Sequence, residues 1–165
     1  MRRLVGCGLP DVALPSTGGA VEMPARMKGR AVVFCYPWSG RPGTPNPPRW
    51  DDIPGAHGST PQALAYSSAY GQFRARDAAV YGLSLQNTEW QREFASCCGL
   101  PFPLLSDEAR RFSRALDLPV FATGGQDYLE RLTLIARDGI IAAVRYPVAR
   151  PERDAEEMLA VLASM

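Results

Sequence analysis

Hydrophobic and polar positions alternate between two periods along this chain. Residues 31 to 36, AVVFCY, form an unbroken apolar run rich in β-branched and aromatic side chains and closed by Pro37. Such a run predicts a strand buried on both faces. From Pro37 to Pro61 the pattern is lost: seven of the fifteen prolines lie there with Gly40, Gly43, Gly55 and Gly58, and no regular element can propagate through them. Helical spacing resumes with Ser59 or Thr60 as N-cap, Pro61 in the first turn, and Ala63, Tyr66, Tyr70 and Phe73 on one face as far as about Arg76. AAVYGLSL, 78 to 85, predicts a second buried strand. Asn87 is the expected cap of a helix whose face carries Trp90, Phe94, Cys97 and Cys98, ended by Gly99 and the prolines of GLPFPLLSDE.

Ser106 or Asp107 then opens a helix with Ala109, Phe112 and Leu116 inward, followed by a glycine-bearing loop, PVFATGGQDY. RLTLIARDGIIAAVRYPV contains two strands joined by a tight turn at Asp138-Gly139. A last helix begins near Glu152, with Ala155, Met158, Leu159 and Leu162 buried. This order predicts an α/β fold: a thioredoxin-like, central mixed sheet with helices on both faces and a long Pro/Trp-rich loop after the first core strand. Two of the three tryptophans, Trp38 and Trp50, sit in that loop and predict that it packs onto the body of the fold as the wall of a pocket.

Composition narrows the function. The 165 residues suit one compact domain, and a net charge of +1 with 21% charged residues lacks the basic excess that nucleic acid demands. No run approaches the ~18 apolar residues of a membrane span, and MRRLVGCGLP has no apolar stretch behind its arginines, so a cytoplasmic protein is expected. LVGC resembles a lipoprotein cleavage box, but the hydrophobic stretch it needs is missing. The cysteines Cys7, Cys35, Cys97 and Cys98 have no CxxC spacing and His57 is the only histidine, so neither a metal site nor a cofactor is expected.

Six segments carry a family resemblance: GLPDVALPSTGG (8–19), VVFCYP (32–37), GSTPQAL (58–64), VYGLSLQ (80–86), LPFPLLSDE (100–108) and RLTLIARDGII (131–141). Together the chain resembles a peroxiredoxin of the alkyl hydroperoxide reductase and thiol-specific antioxidant group, near the bacterioferritin comigratory protein branch. The resemblance implies a cysteine at the start of the helix after the Tyr-Pro strand end, which attacks a hydroperoxide as a thiolate. A second cysteine five residues on then closes a disulfide. Aligned so, Ser59 holds the peroxidatic position, Leu64 the resolving one, and Arg131 matches the family arginine. A shorter register would instead put Thr44 at the reactive position, but its helix would run through five further prolines.

A serine hydroxyl stays protonated at neutral pH and forms no stable analogue of sulfenic acid. Cys35, in the first buried strand, and Cys97 and Cys98 read as core residues. The resemblance therefore implies a peroxiredoxin-like protein that uses the retained pocket for binding, or a non-redox reaction on, a small oxygen-rich molecule. Ser59, Thr60, His57 and Arg131 are the candidate catalytic residues, and Tyr36, Pro37, Trp38, Trp50 and Arg131 the candidate ligand-binding ones. Two alternatives stay open: a hydroperoxide reductase whose reactive cysteine has been replaced, and a non-catalytic interaction protein. A homodimer is compatible with all three.

Overall fold

The computed structural model describes residues 3–165. Its strands and helices, in chain order, begin with β1 (Leu14–Pro15), β2 (Val21–Glu22), β3 (Arg30–Cys35), α1 (Ser59–Ser68), α2 (Tyr70–Ala75), β4 (Ala78–Ser84) and α3 (Thr88–Cys98). They continue with β5 (Leu104–Ser106), α4 (Arg111–Leu116), β6 (Val120–Thr123), β7 (Gln126–Leu129), β8 (Leu132–Arg137), β9 (Ile140–Arg145) and α5 (Asp154–Ala163). The main sheet has the order β5-β4-β3-β8-β9, with β3, β4 and β5 parallel and β8 antiparallel to both β3 and β9.

Central β3 explains the apolar run that announced it. Val32 and Phe34 face one layer, where Ala63 and Tyr66 of α1, Phe73 of α2, Phe94 of α3 and Met158 of α5 pack on them. Val33 and Cys35 face the other, with Leu4, Leu9 and Leu14 and with Phe112 and Leu116 of α4. A strand covered on both sides has no polar face to alternate with. The thioredoxin-like α/β fold with a mixed sheet and helices on both faces is therefore the fold observed.

Several expected elements take a different form. The helix expected from 59 to about 76 breaks at Ala69 into α1 and α2, yet Ala63, Tyr66 and Phe73 keep their buried positions. Its N-cap is neither Ser59 nor Thr60 but Gly58, at φ 116°, and Ser59 is the first helical residue. PVFATGGQDY is not a loop: β6 and β7 pair as a hairpin about Gly124-Gly125, whose positive φ values suit the turn. The helix expected from Ser106 or Asp107 begins only at Arg111, because Asp107 instead accepts hydrogen bonds from the N–H groups of Phe112 (3.0 Å) and Ser113 (2.8 Å). Ala109 is consequently exposed. Cys97 is exposed rather than buried and Cys98 only half-buried, since Gln91 and Phe94 form the inner face of α3.

Asn87 does cap α3, accepting from the Trp90 N–H at 2.8 Å, and Asp138-Gly139 does close the β8–β9 hairpin. Near the middle of β4, Gly82 admits no side chain, because a Cβ there would lie 2.6 Å from Leu104 Cδ2 and 2.9 Å from Phe34 Cζ. Gly82→Ala is expected to destabilise the protein by about 1–3 kcal/mol through overpacking. Urea unfolding measures this, and an unchanged midpoint would mean that the core yields there.

Candidate functional site

Where the long loop ends, α1 starts beside the residue that precedes β8. Arg131 reaches across from there, and both its terminal nitrogens donate to Ser59 Oγ, from 3.3 Å (Nη1) and 3.2 Å (Nη2). Nη1 also donates to Gln62 Oε1 at 2.7 Å, one turn into α1. Nη2 meets the carbonyls of Gly55 (3.2 Å), Ala56 (3.3 Å) and His57 (3.2 Å), so the end of the loop is wound round one guanidinium. Both Ser59 and Arg131 are buried. Burial lowers the Arg131 pKa to about 10, partly opposed by Asp154, so the side chain stays charged at neutral pH.

Donor counting sets what this arrangement can do. Nη1 and Nη2 carry four hydrogens and face six acceptor contacts within the protein, which leaves neither nitrogen free for an incoming anion. With both lone-pair directions of Ser59 Oγ turned to the guanidinium, its own O–H is left to donate. The N–H groups of Ser59 and Thr60, at the positive end of α1, make no hydrogen bond among the described residues.

A second layer holds this first one. Asp154, fully buried at the start of α5, takes three donors on Oδ2: Gln62 Nε2 at 3.0 Å, Tyr66 OH at 2.7 Å and Thr133 Oγ1 at 2.7 Å. The carboxylate thereby orients the Gln62 amide so that Oε1 faces Arg131. None of Gln62, Tyr66, Thr133 and Asp154 was a candidate site residue by sequence: Gln62 and Thr133 lay inside the segments GSTPQAL and RLTLIARDGII, Tyr66 was expected only as a core residue, and Asp154 carried no signal.

A cleft of about 520 Å³ opens over Ser59, and Trp38, Trp50, His57, Thr60 and Pro151 line it. Five candidates thus come together, with Arg131 beneath them. Tyr36 does not join them: its ring is buried between Phe34 (6.0 Å) and Phe94 (5.9 Å), and its hydroxyl lies toward Ser84 and Gln91 without a hydrogen bond. Its position two residues beyond Phe34 puts it on the same core-facing side of the strand. Pro37 lines a different cleft, which shares Trp38 with this one. His57 Nε2 lies 2.6 Å from Asp51 Oδ1 in solvent and makes no side-chain bond to Ser59, lending the site only its carbonyl. Leu64 is exposed on the outside of α1, and Thr44 is exposed in the loop with no helix behind it, which leaves Ser59 as the residue at the helix start.

The loop wall is held by side chains. Arg41 lies over the Trp90 ring at 3.9 Å and pairs with Glu93 at 2.6 Å, while Trp90 Nε1 donates to the Ser39 carbonyl at 2.7 Å. Trp50 packs on Trp38, Phe121 and Tyr128, and Thr123 Oγ1 donates to the Pro48 carbonyl at 2.5 Å. Cys35 offers no substitute nucleophile: it is enclosed in the opposite core layer, where burial, with Asp107 and Asp154 adding, pushes its thiol pKa far up.

The fold is that of a thioredoxin-like domain of peroxiredoxin type. The sequence profile described as Redoxin matches residues 5–162, and the chain belongs to that family. It is 28% identical over 165 residues to the chloroplastic peroxiredoxin Q of Oryza sativa subsp. japonica, covering 97% of this chain and 67% of that protein. With the chloroplastic peroxiredoxin Q of Sedum lineare it shares 29% over 161 residues, 94% of this chain and 76% of the relative. Among solved structures, peroxidoxin BcpB of Mycobacterium tuberculosis superposes with a TM-score of 0.79 at 21% identity, over 99% of both chains. A mutant of Xylella fastidiosa PrxQ gives 0.80 at 21% identity, over 99% of this chain and 98% of that one. These structures share its fold. No helix among the described residues is long and apolar enough to cross a membrane.

Proposed function

We propose that this redoxin does not carry out thiol peroxidase chemistry and instead binds a small oxygen-rich molecule over α1, through a carbonyl or carboxylate oxygen. The observation that carries this reading is the contact of Ser59 Oγ with both terminal nitrogens of Arg131, at 3.2 and 3.3 Å. Oxygen now sits where the family resemblance puts sulfur, and an alcohol oxygen cannot take an oxygen atom from a peroxide and be reduced back by a thiol. What the site retains is a set of donors: the Ser59 O–H, polarised by the guanidinium behind it, and the N–H groups of Ser59 and Thr60. Donors converging at a helix N-terminus suit a ligand oxygen that bears negative charge or develops it in a reaction. Cys35, Cys97 and Cys98 form no disulfide among the described residues, which fits action in the reducing cytosol.

The test uses pyruvate, which carries both acceptor types, followed by amide NMR. Saturable shifts centred on the Ser59 and Thr60 N–H signals, weakened severalfold in Ser59→Ala, are the expected result. No saturable shift at tens of millimolar would overturn the reading. In parallel, Ser59→Cys is assayed for hydrogen peroxide consumption with dithiothreitol. Little gain is expected; fast turnover would favour the second reading, a hydroperoxide reductase whose cysteine has been replaced, because the arginine and helix start around the position are intact.

A further inference from the structure

A second cleft, of about 510 Å³, shares Trp38 with the cleft over Ser59 and is otherwise lined by different residues. It sits past the C-terminal ends of β4 and β5, between Gln86 and Asn87, the first turn of α3, the segment before α4, and β7. Three aromatic side chains line it: Trp38, Trp90 and Tyr128. Its charged groups are Glu108, Arg110 and Asp127. Arg110 and Asp127 neutralise each other in an ion pair. Glu108 is exposed and has no ion-pair partner among the described residues, so the cleft keeps one uncompensated negative charge.

We propose that this cleft binds the protonated amino group of a small organic ligand, seated among the aromatic side chains with Glu108 as its counter-ion. Aromatic rings attract cations through the negative end of their quadrupole, so Trp38, Trp90 and Tyr128 beside an unpaired carboxylate favour a cation over an anion or a neutral group. The fold already uses one of these rings in this way, since Arg41 lies 3.9 Å from the Trp90 centroid without lining the cleft. An anionic ligand would meet two carboxylates and one guanidinium that is already engaged. Asn87, at the rim, and Gln126 supply side-chain amides for the rest of the ligand.

The inference is independent of what Ser59 binds. Its test is titration with benzylamine, protonated at neutral pH, against benzyl alcohol and benzoate, read by tryptophan fluorescence and by amide NMR of residues 86–90 and 126–128. Benzylammonium is expected to saturate, benzyl alcohol to bind more weakly and benzoate more weakly still. Glu108→Gln, at an exposed position, should weaken benzylammonium about tenfold (~1.4 kcal/mol) and leave benzyl alcohol unchanged. Added salt should weaken benzylammonium and leave benzyl alcohol unchanged. The proposal is overturned if benzyl alcohol or benzoate binds as well as benzylammonium, if Glu108→Gln has no effect, or if no probe saturates. Ser59→Ala should leave every one of these titrations unaltered.

Discussion

Replacing Asp154 with alanine is expected to lower the unfolding free energy by about 3–5 kcal/mol. Three buried donors, Gln62 Nε2, Tyr66 OH and Thr133 Oγ1, end on one oxygen of this carboxylate, and the substitution leaves all three without an acceptor in a dry core. It also removes the carboxylate that favours the charged form of buried Arg131, so the guanidinium pKa should fall further. Asp154→Asn is the informative contrast. Since all three donors meet Oδ2, an asparagine oxygen can take its place, at the loss of the charge and with a buried NH2 left without an acceptor where Oδ1 stood. A cost of about 1–2 kcal/mol is expected for that variant, near the value of one hydrogen bond to a charged group. Thermal unfolding resolves the two, because at this size 1 kcal/mol moves the midpoint by about 2–4 °C. Should Asp154→Ala melt with the parent protein, the buried network is not what holds Gln62 and Arg131 in place.

Stability should also collapse in alkali, over a window that the buried groups define. Burial raises the pKa of Cys35 from an ordinary 9.0, and those of Tyr36 and Tyr66 from 10.0; Asp154 raises Tyr66 further. Each of these groups stays neutral in the folded state while the unfolded chain ionises. Their contribution is therefore fully present below pH 9 and lost as pH rises through 9 for Cys35 and through 10 for the tyrosines. Each group contributes a slope of about 1.4 kcal/mol per pH unit. Arg131 acts with the opposite sign: its folded pKa is lowered to about 10, so folding gains above that pH while the unfolded chain still holds the proton. The three fully buried groups against Arg131 leave a net loss of about 3 kcal/mol per pH unit above pH 10, to which the raised pKa values of Tyr81, Cys98, Tyr128 and Tyr146 add. Urea unfolding from pH 7 to 10.5 measures it. Cys35→Ala should flatten the curve between pH 9 and 10, and Tyr36→Phe should do so only above 10. If neither variant changes the slope, the alkaline loss has another origin.

The parts of the fold legible in the sequence are those that local chemistry decides. The AVVFCY run gave β3 because a doubly covered strand cannot alternate, and Asn87 and Asp138-Gly139 marked a cap and a turn by residue type alone. The parts that stayed hidden are decided by distant contacts. The β6–β7 hairpin is packed on Trp50 of the loop, some 70 residues earlier, and Asp107 caps a helix that starts four residues after it. Ser59 and Arg131 were found through the family resemblance, and the structure joins them. Gln62 and Asp154 lie 92 positions apart, and no spacing rule links them. Tyr36 was misread as a pocket residue because the alternation that sends Val32 and Phe34 inward also governs the residue that follows the strand.

The loop between β3 and α1 has consequences for how this protein can change over time. Trp50, Ala56 and Tyr128 form a small core of their own, and Trp38, Arg41 and Ser39 fasten the rest to α3 and Gln86, whereas residues 42–46 are exposed. Mutational drift can accumulate freely in that outer arc, in its length as well as its composition, provided the few anchors persist. Remodelling of what this scaffold recognises is therefore open to evolution without any revision of the sheet beneath.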